Sequence, residues 1–217
     1  MLDETDRENR AGNVDPIHLP IGDGRLQQQI DFLIEIDKLK SIIRRSPLID
    51  RSRFENSAEH SWHLSLAAVI LTEYADDAQL DLFHTLKLLL VHDLIEIDAG
   101  DTYCYDEAGR KDQKQREAVA ADRIFGLLPA DQKRDIRDCW EEFENRQTPE
   151  AQFAHAVDRL MPLLHNYFAR GRIWQEHGIR RAQVEERMAS IKPGSEYLHA
   201  VATAIIDASV RKGYLAE

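Results

Sequence analysis

The stretch His92-Asp93-Leu94-Ile95-Glu96-Ile97-Asp98-Ala99-Gly100-Asp101 constrains the fold of this chain more than any other. It comes directly after an apolar run, Leu86 to Val91, so an imidazole and several acids stand at the end of a segment greasy enough to be buried. Ionised groups in such a place are costly unless they pair with one another or bind a metal. Glu96 lies four residues after His92 and shares its helix face. Asp101 sits just past Gly100, which acts as a breaker.

The flanking chain reads as helices. Leu26, Ile30, Leu33, Ile34, Ile36 and Leu39 recur at helical spacing behind Asp23, an N-cap residue, and the pattern frays near Arg44-Arg45-Ser46-Pro47 because proline disfavours helical geometry in the residue before it. Leu48 to Glu55 is charged and irregular. Asn56 with Glu59 three residues on is a helix start signal, so His60 falls in the first turn of a helix running to about Tyr74. The next helix, Leu82 to about Ile97, is apolar nearly all round, which predicts a buried, central element. A polar loop with Tyr103, Tyr105 and Asp106 comes after it. Helical spacing returns through Glu117 to Phe125, and again behind Asp131 to about Asn145. Thr148-Pro149-Glu150 opens a helix that carries Asp158 within its apolar pattern. Two more helices, roughly 179 to 190 and 195 to 212, end the chain. No strand-like alternation stands out, so the expected fold is all-α: a flexible arm over residues 1–20 and a single helical domain over 21–217.

With 217 residues, 43% of them hydrophobic, the chain can bury a sizeable core. Its net charge of −11 argues against a nucleic acid polymer as partner, since phosphate contacts need a basic face. It leaves room for a small anion in a local basic pocket. Cys104 and Cys139 lack metal-site or disulfide-framework spacing. No apolar run approaches the roughly 18 residues a membrane span needs. A soluble, cytoplasmic protein is expected.

His60, His92, Asp93 and Asp158 are candidate ligands for one divalent ion. Two imidazoles and two carboxylates suit Mn, Fe, Co, Ni, Cu or Zn better than calcium. Each has a plainer reading: a hydrogen-bonded core histidine, a chance His-Asp pair, an ion pair of Asp158 with Arg159. Combination favours the metal. His63 reads as a histidine behind the ligands, His84 as core or surface, Asp98 as a cap or solvated acid. Trp174 either stacks a nucleobase or, better, holds its loop to the core. Lys111 and Lys114 read as solvated or phosphate-binding.

His60 in Ala58-Glu59-His60-Ser61-Trp62, then His92-Asp93, then Asp158 in Ala156-Val157-Asp158-Arg159-Leu160 resemble the motif of the HD-domain superfamily of metal-dependent phosphohydrolases. With Glu96 and Gly100-Asp101, the likeness is to the branch that includes bacterial 5'-deoxynucleotidases. The resemblance covers roughly residues 26 to 170 and implies an HD-domain helical bundle. It further implies one divalent ion (Mn, Co, Zn, Fe, Ni or Mg) on His60, His92, Asp93 and Asp158, with Glu96 and Asp101 as catalytic acids. Arg44 or Arg45 stands where relatives bind substrate, and Ser46-Pro47 comes next, where they carry a tryptophan near the sugar. The implied function is phosphate release from a (deoxy)nucleoside 5'-monophosphate by a homodimer. The alternatives are a non-catalytic nucleotide- or metal-binding module and a hydrolase of another nucleotide, such as a guanosine polyphosphate.

Overall fold

Residues 23–105 and 111–217 are described by the computed structural model. The expected arm, residues 1–20, and Asp106 lie outside the described residues. Helix α1 (Gly24–Ile36) starts as the sequence predicts, with the Asp23 side chain accepting from the backbone N–H groups of Arg25 and Leu26. It tightens into a 3-10 turn at Asp37–Ser41.

The next segment departs from expectation. Strand β1 (Ile43–Pro47) pairs antiparallel with β2 (Phe54–Asn56), where fraying and an irregular segment were predicted. The ribbon is hidden from a polarity scan because its alternation is inverted: Ile43 is 58% exposed, whereas Arg44 faces inward. Packing of β1 on a later helix, rather than strand propensity, decides the local structure.

Helix α2 (Ser57–Leu71) opens with the predicted capping box between Asn56 and Glu59, and it continues as a 3-10 turn to Tyr74. Asp81 caps α3 (Leu82–Val91). That helix is shorter than expected and is not buried all round, since Phe83 and Leu90 are exposed at 79% and 54%. They lie seven residues apart on one face, and apolar character alone does not assign a face to the core. The chain turns at residues 92–95 and forms the short α4 (Glu96–Ala99). Helices α5 (Gln113–Phe125), α6 (Ala130–Asn145), α7 (Pro149–Phe168), α8 (Arg172–Glu176), α9 (Arg181–Met188) and α10 (Glu196–Arg211) complete the bundle. Asp131 does not cap α6; Pro129 holds that position, and Asp131 instead receives Arg25 at 2.7 Å.

The central element is α7. Thr148 caps it and Pro149 stands at its first turn, as predicted. Phe153, Ala154, Ala156, Val157, Leu160 and Leu163 are buried along it, and it touches β1, α2, α3, α6, α9 and α10. Asp158 is therefore carried in the middle of the core. Ile206 is buried, with Ile205 and Val210 packed beside it, so these three serve the core. No helix among the described residues is long and apolar enough to cross a membrane.

Candidate metal centre and active site

Six pieces of chain converge. Strand β1 brings Arg44, β2 brings Glu55, the capped first turn of α2 brings His60, and the turn after α3 brings His92 and Asp93. Helix α4 brings Glu96, and α7 brings Asp158. All of these except Arg44, which is half-buried, are buried. Gly100, at φ 74° and ψ 154°, ends α4 in a conformation that a side chain would strain, and this sharp exit sends Asp101 back toward the same cavity.

The two imidazoles are arranged alike. His92 Nδ1 donates to the Leu89 carbonyl oxygen at 2.8 Å, which leaves Nε2 with a lone pair, 3.0 Å from Asp93 Oδ1. That Nε2 is buried and has no hydrogen-bond partner. His60 Nδ1 lies 3.1 Å from Glu55 Oε2, close enough for an ion pair though off the line of a good hydrogen bond, and its Nε2 is 3.1 Å from Asp158 Oδ1. Ligand atoms of His60, His92 and Asp93 lie within 4.8 Å of one another. A lone pair turned on a carboxylate repels it unless a proton or a cation stands between. The residues therefore fit a divalent ion: two Nε2 atoms and two carboxylates face one space, and both Nδ1 atoms are engaged behind.

Charge couples the whole set. Arg44 Nη1 donates to Asp93 at 2.6 Å and lies 3.8 Å from Glu96 Oε1. Burial opposes the charged forms of His60 and His92, but the carboxylates beside them outweigh it and raise both pKa values. Burial also works against ionised Asp93 and Asp158, yet His92 and Arg44 hold Asp93 below the usual range, and Arg159 with His60 does so for Asp158. Glu96 moves the other way. Burial and the nearby Asp93 carboxylate push it well above the usual range, while Ser57 Oγ donates to its Oε2 at 2.6 Å. Asp101 is raised too, by burial first.

The acids line a cavity of about 280 Å³ that includes His92, Asp93, Glu96, Asp101 and Asp158. An adjoining cavity of about 90 Å³ runs past Arg44, Arg45, Ser46, Tyr103 and Trp174. Every residue singled out in the sequence as ligand or catalytic acid thus meets in one place. Arg44 joins them. Arg45 is exposed, with its guanidinium 5.2 Å from the centroid of the Tyr103 ring, at the rim. Lys114 reaches the larger cavity. Trp174 is buried and belongs to the core while lining the smaller cavity. His84 pairs with Glu142 at 2.8 Å, and Asp98 pairs with Arg123.

Two buried members were missed in the sequence. Glu55 backs His60, and His165 comes within 4.0 Å of Glu55, its ring stacked on His63. Glu55 sits in the ribbon that reads as a charged loop, and His165 comes from the last turn of α7. Only the acid-then-His60 proximity in sequence hints at either.

A helical bundle with a His, His-Asp, Asp constellation on α2, the α3 exit and α7 defines a class. The family model described as HD domain matches residues 36–199, and the chain belongs to that family. Curated relatives include proteins named 5'-deoxynucleotidase HDDC2, from Xenopus laevis (26% identical over 136 residues, 62% of this chain and 66% of that one) and Homo sapiens (27% over 136 residues, 62% and 65%). The chain spans just under two thirds of the length of those relatives. A solved structure described as a predicted metal-dependent phosphohydrolase from Magnetospirillum magnetotacticum MS-1 is 48% identical, with a TM-score of 0.88 over 92% of this chain and 100% of that one. A conserved hypothetical protein from Pyrococcus furiosus, 20% identical with a TM-score of 0.55 over 84% of this chain and 99% of that one, shares the fold.

Proposed function

We propose that this protein is a metal-dependent phosphohydrolase that releases phosphate from a nucleoside 5'-monophosphate, ribo or deoxyribo. The observation that carries this reading is the pair of buried imidazoles with Nδ1 engaged behind and Nε2 turned on a carboxylate. His60, His92, Asp93 and Asp158 would hold one divalent ion. When bound, such an ion supplies charge neutralisation at a phosphoryl oxygen and acidifies water. The names of the relatives support the nucleotide as substrate.

The protein's own groups account for the rest. A water oxygen forms a bond to phosphorus as the bond from phosphorus to the ribose 5'-oxygen breaks. One proton leaves the water and one reaches the leaving oxygen. Glu96 and Asp101, both raised by burial, are the acids placed to hold or give up those protons. Arg44 and Arg45 offer guanidinium groups for the phosphate, which suits a reaction governed by positioning and electrostatics. Residues 21–217 act as one domain in this reading. A homodimer agrees with the exposed apolar stripe Trp62, Leu66, Val69 and Ile70 on α2, and two free cysteines agree with a reducing cytoplasm.

The test is a phosphate-release screen over ribo- and deoxynucleoside monophosphates with Mn, Co, Zn and Mg, alongside His92→Ala and Asp101→Ala. His92→Ala is expected to lose metal and activity together. Asp101→Ala should keep the metal and lose about 10²- to 10⁴-fold in rate. Tight nucleotide binding without any phosphate release would replace the enzyme by a binding module.

A further inference from the structure

Arg187, on α9, lines both the cavity that holds Asp93 and Glu96 and the adjoining one that holds Tyr103 and Trp174. Arg159, on α7, also lines both. The two differ in their partners. Arg159 donates to Asp158 at 2.9 Å, as Arg44 does to Asp93 at 2.6 Å. Among the described residues, no acid forms an ion pair with Arg187, and its guanidinium makes no hydrogen bond. Burial and the nearby Arg159 push its pKa down to about 10, so it is still a cation at neutral pH.

A half-buried cation next to another cation, with Asp158 acting only through space and no acid in contact, is poorly compensated. Groups so placed at a cavity mark a site whose ligand brings the missing charge. Two further groups in the smaller cavity are buried without partners, Tyr103 Oη and Asn166 Oδ1. Unpartnered polar groups thus collect in the smaller cavity that Arg187 lines.

We propose that Arg187, with Arg159 beside it, is the anion-binding subsite of this cavity and receives a phosphate group of the substrate. A guanidinium fork matches two phosphate oxygens at once. The phosphate is either the one released or a second one on the same molecule. The assignment rests on the phosphohydrolase reading for the identity of its ligand, but it is tested by binding rather than turnover.

Calorimetry on the metal-loaded protein, in the slow Asp101→Ala background so that binding and not turnover is read, compares Arg187, Arg187→Gln and Arg187→Lys with three probes: inorganic phosphate, a nucleoside 5'-monophosphate and a nucleoside 3',5'-bisphosphate. Arg187→Gln should weaken binding roughly 10- to 100-fold, the size of a lost charge-assisted contact, and Arg187→Lys should lose less. Weakening with all three probes assigns the released phosphate, and weakening with the bisphosphate alone assigns a second one. The unliganded Arg187→Gln protein should melt at or above the wild-type temperature, because an unpaired cation has been removed. Unchanged binding of all three probes, or an Arg187→Gln protein that does not fold, would overturn the proposal. Absence of phosphate release by the wild type, with this binding pattern intact, would count against the hydrolase reading alone.

Discussion

Glu55→Gln probes whether the metal ligands depend on what stands behind them. Glu55 Oε2 lies 3.1 Å from His60 Nδ1, both groups are buried, and the ring's other nitrogen faces Asp158. A carboxylate in that position fixes the tautomer and strengthens Nε2 as a ligand; losing such a partner typically costs about 10- to 100-fold in metal affinity. That corresponds to about 1.4–2.7 kcal/mol. Glutamine keeps the shape and removes only the charge, so the loss should fall in this range without unfolding. Titration of Mn, Co or Zn against a chromogenic chelator reads the affinity directly. An unchanged Kd would mean that His60 does not bind metal through Nε2, and it would refute the reasoning.

Stability should also carry an acid signature from His155, which borders the larger cavity but is neither a proposed metal ligand nor a proposed catalytic acid. Its Nε2 faces the Phe143 carbonyl at 2.9 Å, and burial with Arg159 nearby lowers its pKa from 6.5 to about 3. The unfolded imidazole therefore takes up a proton that the folded one refuses. Its contribution is complete above about pH 6.5 and is lost as pH falls toward 3, at up to ~1.4 kcal/mol per pH unit. Melting curves of wild type and His155→Leu should converge as pH falls through this window, whereas parallel curves would show that His155 does not set the acid limb.

Much of the site is legible in the sequence because its key residues sit beside strong local signals. Asn56 and Glu59 mark the first turn that carries His60, and Gly100 marks the exit that turns Asp101 around. Thr148-Pro149 starts the helix whose periodicity puts Asp158 inside. What stays hidden depends on contacts between distant pieces. Glu55 and Arg44 lie on a two-stranded ribbon whose inward residue is charged, so polarity reads it inside out. Arg187 belongs to a short, highly charged helix that resembles a solvated one, and only the fold brings it to Arg159. The choice of central helix failed for the same reason. Apolar richness pointed to α3, but length and position among the other helices give that place to α7.

The most direct test is anomalous diffraction from crystals of the protein grown with Mn or Co, collected at the absorption edge of the metal. The expected result is one strong peak bound by His60 Nε2, His92 Nε2, Asp93 and Asp158, with Arg44 displaced from Asp93 or shared with the ion. It would be contradicted by a peak elsewhere, such as among Glu55, His63 and His165, with the four proposed ligands left unoccupied.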